Sequence, residues 1–168
     1  MHTYARTVVD ALQSQSVALL DTYGVPAYIA DERIAYTDAP LRYLSTGAPS
    51  PALTQKAGAQ PFAPPNLVQS TSAAFVALQT QRGAPATLVL LPAPHIAPAA
   101  PRTLERSNFA HWDEDAVHWA PATVRAAQAL AFGALGEPGR DAWTAPTREE
   151  KPSAAQERKK PVEFGMYI

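Results

Sequence analysis

The distribution of charge and proline along the chain constrains its fold more than any other sequence feature. Residues 43–101 contain only two charged side chains, Lys56 and Arg82, and ten of the 17 prolines. Because proline fixes φ and removes a backbone donor, the proline-rich segments 46–65 and 92–101 are predicted to be extended. A disordered linker is usually polar or charged, and these segments are neither. We therefore expect them to lie either on another subunit or, as long ordered loops, on their own domain.

The first part of the chain has the pattern of one long helix followed by a hairpin. Apolar residues at helical spacing, with a glycine and a proline just beyond them, predict a helix over residues 3–23. Two short runs of β-prone residues on either side of an acidic turn predict a hairpin over residues 27–37.

Further regular elements are predicted in the second half of the chain. Helical spacing between Asn66, as a possible cap, and Gly83, as a stop, predicts a helix, with a strand over 73–80 as the alternative. Residues 87–91, Thr-Leu-Val-Leu-Leu, predict a buried strand. A last helix is predicted over 121–135, because proline suits the first position of a helix.

These elements predict an α+β fold, with a small core of two or three helices and a few short strands, plus long proline-rich extended segments. The core domain is predicted at 1–143 and an extended C-terminal arm at 144–168. Eight of the 13 residues in 148–160 are charged, a composition typical of unfolded chain, yet large apolar residues follow. We expect this apolar end to bind a partner. The residues predicted to contact partners are Phe62, Trp112, Trp119, Val162, Phe164, Met166, Tyr167 and Ile168.

Overall composition argues against several classes of protein. The formal net charge of −1 is unfavourable for nucleic-acid binding, which requires a basic surface. Cysteine is absent, which excludes disulfide frameworks, thiolate nucleophiles and cysteine-based zinc sites. No run approaches the ~18 apolar residues of a membrane span, and the first residues lack the pattern of a secretory signal.

The histidines are the main candidates for chemistry. His95 follows the predicted strand, where α/β enzymes often place catalytic groups. His111 and His118 flank an acidic cluster, but on a helix they would be about 10 Å apart, too far to share a metal ion. The chain has neither a nucleophile elbow nor a glycine-rich phosphate loop. We therefore expect no metal, no cofactor and no enzymatic activity.

A long arm on a small core is typical of subunits that bind their neighbours in large assemblies. We therefore predict a non-enzymatic structural subunit of a large assembly, and specifically of a bacteriophage virion: a head–tail connector, a tail protein or a capsid-decorating component. Its expected partners are protein subunits of the same assembly, including copies of itself, and its expected location is the virion, assembled in the bacterial cytoplasm. One alternative is a cytoplasmic accessory subunit of a cellular complex. A second is a small hydrolase-like enzyme that uses His95 or the His111–His118 cluster.

Overall fold

The computed structural model describes residues 1–55, 59–96 and 117–137. These residues form a mixed four-stranded sheet and four helices, which confirms the α+β class. In chain order the elements are α1 (His2–Leu12), β1 (Val17–Gly24), β2 (Leu41–Ser45), α2 (Pro51–Gln55), β3 (Ala59–Pro61), α3 (Thr71–Gln81), β4 (Ala86–Ala93) and α4 (Pro121–Ala134). Within the described ranges, no helix is long and apolar enough to cross a bilayer.

Strand β4 lies inside the sheet, and all eight of its residues are buried. The strand order is β1-β4-β2-β3, with β1 parallel to β4, β2 antiparallel to β4, and β3 parallel to β2. A strand that is covered on both faces needs a continuous apolar run rather than an alternating one. The run Leu88-Val89-Leu90-Leu91 meets that need, and the predicted strand over 87–91 is confirmed.

The two faces of β4 are covered by different helices. Leu88 and Leu90 point to one face, where they pack in a cluster with Val76 of α3. On its far side α3 packs against α1 through a small cluster of Ala5, Val9, Ala74 and Leu78. The opposite face of β4 presents Val89 and Leu91, which cluster with Ala127 and Leu130 of α4.

Two of the predicted helices are confirmed, with one change of cap. Helix α4 begins at Pro121, as expected, and Gly136 follows it at a φ of +74°. Helix α3 rules out a strand over 73–80, but its N-cap is Ser70, whose hydroxyl accepts a hydrogen bond from the Ala73 amide. The assignment of Asn66 as the cap is therefore wrong, and that side chain has a different role.

The prediction of one helix over residues 3–23 is wrong in its second half. Helix α1 ends at Leu12, Gln13 takes a left-handed φ of +50°, and residues 17–24 form β1. The apolar run that begins at Val17 satisfies the spacing of a helix and of a buried strand equally well. Parallel pairing with β4, about 70 residues away, decides the outcome through contacts that no local pattern reveals.

The predicted hairpin over residues 27–37 is also wrong. Two short 3₁₀ turns, Val25–Ala27 and Tyr36–Asp38, occupy its ends, and the part of the chain between Gly24 and Leu41 contains no strand. The physical reason is that the Tyr28 ring packs on Tyr23 and Phe62, which draws this segment onto the end of the sheet.

The first proline-rich segment packs on its own domain. It contains helix α2 and strand β3, and Leu53 of α2 is only 1% exposed against α4. Of the two expectations for 46–65, the ordered loop is therefore the one observed, and the segment is not continuously extended. The second segment begins as the end of β4, and its residues 97–101 lie outside the described part of the chain.

Helices α2 and α4 approach so closely that a glycine is needed between them. A Cβ built on Gly133 would lie 2.6 Å from the Ala52 Cβ, well inside van der Waals contact. The Ser50 hydroxyl donates to the Gly133 carbonyl oxygen at 3.4 Å, which ties the start of α2 to the last turn of α4.

We predict that Gly133→Ala lowers the free energy of unfolding by about 1–2 kcal/mol. Overpacking against Ala52 costs about 1–3 kcal/mol and outweighs the roughly 1 kcal/mol by which alanine exceeds glycine in helix propensity. Urea denaturation checks this, with Ala52→Gly as the compensating change. The double variant should be more stable than Gly133→Ala alone. A Gly133→Ala protein that is about 1 kcal/mol more stable than wild type, as helix propensity alone would give, would contradict the close contact between residue 133 and Ala52.

Candidate partner-binding cleft

A cleft of about 610 Å³ opens where β1 ends. Because β1 and β4 are parallel, their carboxyl ends share one edge of the sheet, the position where open α/β sheets commonly bind ligands. One wall of the cleft is the stretch Asp21–Gly24. The facing wall is the chain that leads into α3, and Met1 and Ile96 complete the opening.

Four large apolar side chains form the rim of this cleft. Met1 is 64% exposed, Ile29 62%, Leu67 78% and Ile96 64%. A single exposed apolar residue is ordinary on a protein surface, whereas several around one concavity are typical of an interaction site. We refer to these four residues as the apolar rim.

Asn66 holds one side of the rim in place. Its Oδ1 accepts the Ile29 amide at 2.7 Å, and its Nδ2 donates to the Ile29 carbonyl oxygen at 2.8 Å. The same Nδ2 also donates to the Ala63 carbonyl oxygen at 2.9 Å. One side chain thus pairs with the main chain of Ile29 as a neighbouring strand would, and it fixes the loop after β1 against the loop before α3.

Gly24 allows the other side of the rim to form. A Cβ at this position would lie 3.1 Å from the His95 carbonyl oxygen and 3.3 Å from the Ile96 Cα. Since both are main-chain atoms, any larger residue would push the chain beyond β4 outward. The glycine therefore brings Ile96 to the cleft.

The floor of the cleft is an aromatic cluster above a buried cation. The rings of Tyr23, Tyr28 and Phe62 meet edge to face, with centroids 5.4–6.3 Å apart. The guanidinium of Arg42, a residue only 5% exposed, lies 3.8 Å from the Tyr28 ring centroid, and its Nη1 donates to the Pro61 carbonyl oxygen. Among the described residues Arg42 has no carboxylate partner, so the aromatic faces supply its main electrostatic compensation.

The one carboxylate that lines the described cleft is already engaged. Asp21 accepts the Thr22 amide on Oδ1 at 2.8 Å and the Ser70 hydroxyl on Oδ2. Ser70 in turn caps α3, so Asp21 holds the start of that helix against β1. With both oxygens used by the fold, this carboxylate has a structural role.

Burial of the floor raises the pKa of the Tyr23 phenol above its ordinary value of 10.0. Desolvation is the main cause, and the nearby Arg42 charge partly offsets it. The Tyr23 hydroxyl donates to the Pro40 carbonyl oxygen at 2.7 Å, a bond that requires the neutral phenol.

The structure places the residues predicted from sequence in different surroundings. Phe62 is 9% exposed and belongs to the floor, so its contacts are with the core. Trp119 is half-buried, and its Nε1 donates to the Pro92 carbonyl oxygen at 2.6 Å, which fixes the entry to α4 at the end of β4. His95 and His118 are exposed. The partner-binding roles of Phe62 and Trp119 and the catalytic roles of His95 and His118 stay predictions. His111, Trp112 and the residues Val162, Phe164, Met166, Tyr167 and Ile168 lie outside the described part of the chain.

Sequence reasoning missed most of the apolar rim. Met1, Ile29 and Leu67 come from three separate segments that only the folded sheet brings together. A partial signal exists at Ile96, an isolated large apolar residue within the proline-rich segment 92–101. A residue of this kind is informative only when other exposed apolar residues lie beside it, and only the fold shows that they do.

We predict that Asn66→Ala lowers the free energy of unfolding by about 0.5–1.5 kcal/mol, because three exposed main-chain groups exchange their side-chain partner for water. Gln69→Ala is the matched control, since Gln69 is an exposed amide in the same loop. Urea denaturation measures both. Equal stabilities for the two variants would contradict the stabilising role of the Asn66 hydrogen bonds.

We predict that stability falls as the pH rises above 10, in part through Tyr23. The unfolded state releases the phenol proton at a lower pH than the folded state, so the stabilisation is complete below pH 10 and is lost above it. The difference in tyrosinate absorbance between wild type and Tyr23→Phe should therefore titrate above pH 10. A midpoint at or below 10 would contradict the buried phenol.

Comparison of the chain with protein-family models, with curated proteins and with solved structures finds no match. What the cleft does is therefore inferred from its own residues: an exposed apolar rim, a rigid aromatic floor and a carboxylate that the fold already uses.

Proposed function

We propose that this protein is a non-enzymatic structural subunit of a large multi-subunit assembly, and that the cleft is one of the surfaces through which it binds its neighbours. The kind of assembly that best suits the chain is a bacteriophage particle, in which it would serve as a head–tail connector, a tail protein or a capsid-decorating component.

The observation that carries this proposal is the apolar rim. Its four side chains are each more than three-fifths exposed although they surround one concavity. Full burial of a side chain such as leucine, isoleucine or methionine contributes about 1.5–3 kcal/mol. A partner that covered the rim would gain several such contributions, whereas an isolated domain gains nothing from leaving them in water.

The chemistry of the cleft also suits binding better than catalysis. A general acid or base needs a group that is free to exchange a proton with a substrate. The carboxylate of Asp21 is occupied by Thr22 and Ser70, and the other polar side chain with several bonds, Asn66, is committed to the main chain.

The sequence beyond α4 supports an arm that reaches neighbouring subunits. The 25 residues of the predicted arm, 144–168, could span up to about 80 Å when extended. A compact domain of about 100 residues has a radius of gyration of about 13 Å, hence a diameter of roughly 35 Å. An arm much longer than the domain is useful to a subunit that must grip another subunit.

We predict that the purified chain, whose monomer mass is 18.0 kDa, forms larger species as its concentration rises. Changing the five large apolar residues of 162–168 to serine should return it to the monomer, because the anchoring contacts are lost. Size-exclusion chromatography with light scattering measures both masses.

The control reverses charge in the same arm, as Lys159→Glu with Lys160→Glu, and should leave the larger species largely in place. A wild-type chain that remains at 18.0 kDa at every concentration would contradict self-assembly and would favour the accessory-subunit alternative.

A further inference from the structure

Strand β1 has a free edge that runs into the cleft. It is the outermost strand on its side of the described sheet, and its last four residues form a wall of the cleft. The Val17 amide donates to the Pro85 carbonyl oxygen, so Val17 and every second residue after it direct their main-chain groups toward β4. The intervening residues Ala18, Leu20 and Thr22 direct theirs outward. An open edge of this kind accepts an added strand.

The fold has closed only part of this edge. The outward Thr22 amide is bonded to the Asp21 side chain, a local substitute for a neighbouring strand. Leu20 lies two residues before Thr22 on the same edge, further from the cleft, and is 46% exposed. Among the described residues nothing pairs with the outward main-chain groups of Ala18 and Leu20, so a partner strand would find these groups and, at the end of β1, the apolar rim.

The segment 162–168 of this chain has the pattern of such a strand. Its sequence, Val-Glu-Phe-Gly-Met-Tyr-Ile, places Val162, Phe164, Met166 and Ile168 at alternate positions. In an extended chain these four apolar side chains share one face. Seven residues extend over about 23 Å at ~3.3 Å per residue, slightly less than the eight-residue β1.

The exit point of the arm lies away from the cleft, so the segment 162–168 must cross the whole domain to reach the β1 edge of its own copy. Trp119 places the start of α4 at the carboxyl end of β4, and α4 then runs for 14 residues, about 21 Å, toward the end of the sheet where β4 begins. The bond between Ser50, beyond the end of β2, and Gly133 confirms that direction. The chain therefore leaves the domain at the end of the sheet away from the cleft. It does so on the face of the sheet opposite α3.

We propose that the segment 162–168 of one copy adds as a strand to the free edge of β1 in the next copy, with its apolar face in the cleft. This inference rests on the proposed function and names the surface that receives the arm. The resulting contact is head-to-tail, which generates a ring where the rotation closes and a filament where it does not.

A photo-crosslinking experiment on the full chain tests the proposal. A benzophenone amino acid replaces Phe164 in one preparation and Tyr167 in a second, so that one disturbed probe does not decide the result. Each preparation is mixed with ¹⁵N-labelled wild-type chain, irradiated and digested for mass spectrometry. We expect crosslinks from the probe chain to residues 17–30 and 66–70 of the ¹⁵N chain.

Two matched variants of the receiving chain sharpen the result. Leu67→Gln changes a residue of the apolar rim that is 78% exposed, and we expect at least a fivefold loss of crosslink yield. Leu12→Gln changes a residue of the same type that is 71% exposed at the far end of α1, and we expect no loss.

Light scattering on the same samples separates the two proposals. Larger species whose crosslinks fall outside these ranges, or only within one copy, would overturn the docking site while leaving the proposed function intact. Mass at 18.0 kDa without crosslinks between copies would overturn both.

Discussion

The burial of β4 on both faces is the constraint on which the rest of the structure depends. Eight consecutive buried residues require a layer of helix on each side, and α3 and α4 provide those layers. Both helices run antiparallel to β4. Each helix therefore begins near the carboxyl end of β4, as the contacts of Ser70 and Trp119 show. The N-termini of these helices and the connecting loops therefore meet at the carboxyl ends of β1 and β4, and the cleft forms there.

Three residues that add no apolar side chain to the core determine the shape of the cleft. Gly24 admits the chain beyond β4, Asn66 ties two loops together, and Asp21 secures the start of α3. The polar groups of the cleft walls are thus largely satisfied within the fold, while its apolar rim remains in water. That contrast is the physical basis for the proposal that the cleft binds protein.

How much of this could be predicted from sequence depends on the range of the contacts involved. The strand at 87–91 and the helix beginning at Pro121 carry their own signals, a continuous apolar run and a proline followed by helical spacing. Residues 17–24 do not, because only pairing with β4 distinguishes their strand from a continued helix. The cleft was beyond prediction for the same reason: Asn66 meets Ile29 across 37 positions of sequence, and the periodicity around Asn66 indicates a helix cap instead.

The central claim is that the cleft and the adjoining edge of β1 are a surface for assembly. Hydrogen–deuterium exchange of the full chain, recorded at concentrations below and above the onset of larger species, tests this claim most directly. The account predicts that amides in 18–24 and 66–70 exchange more slowly in the assembled protein, while those of β4, already buried, do not change. Exchange at the cleft that is the same in monomer and assembly would contradict it.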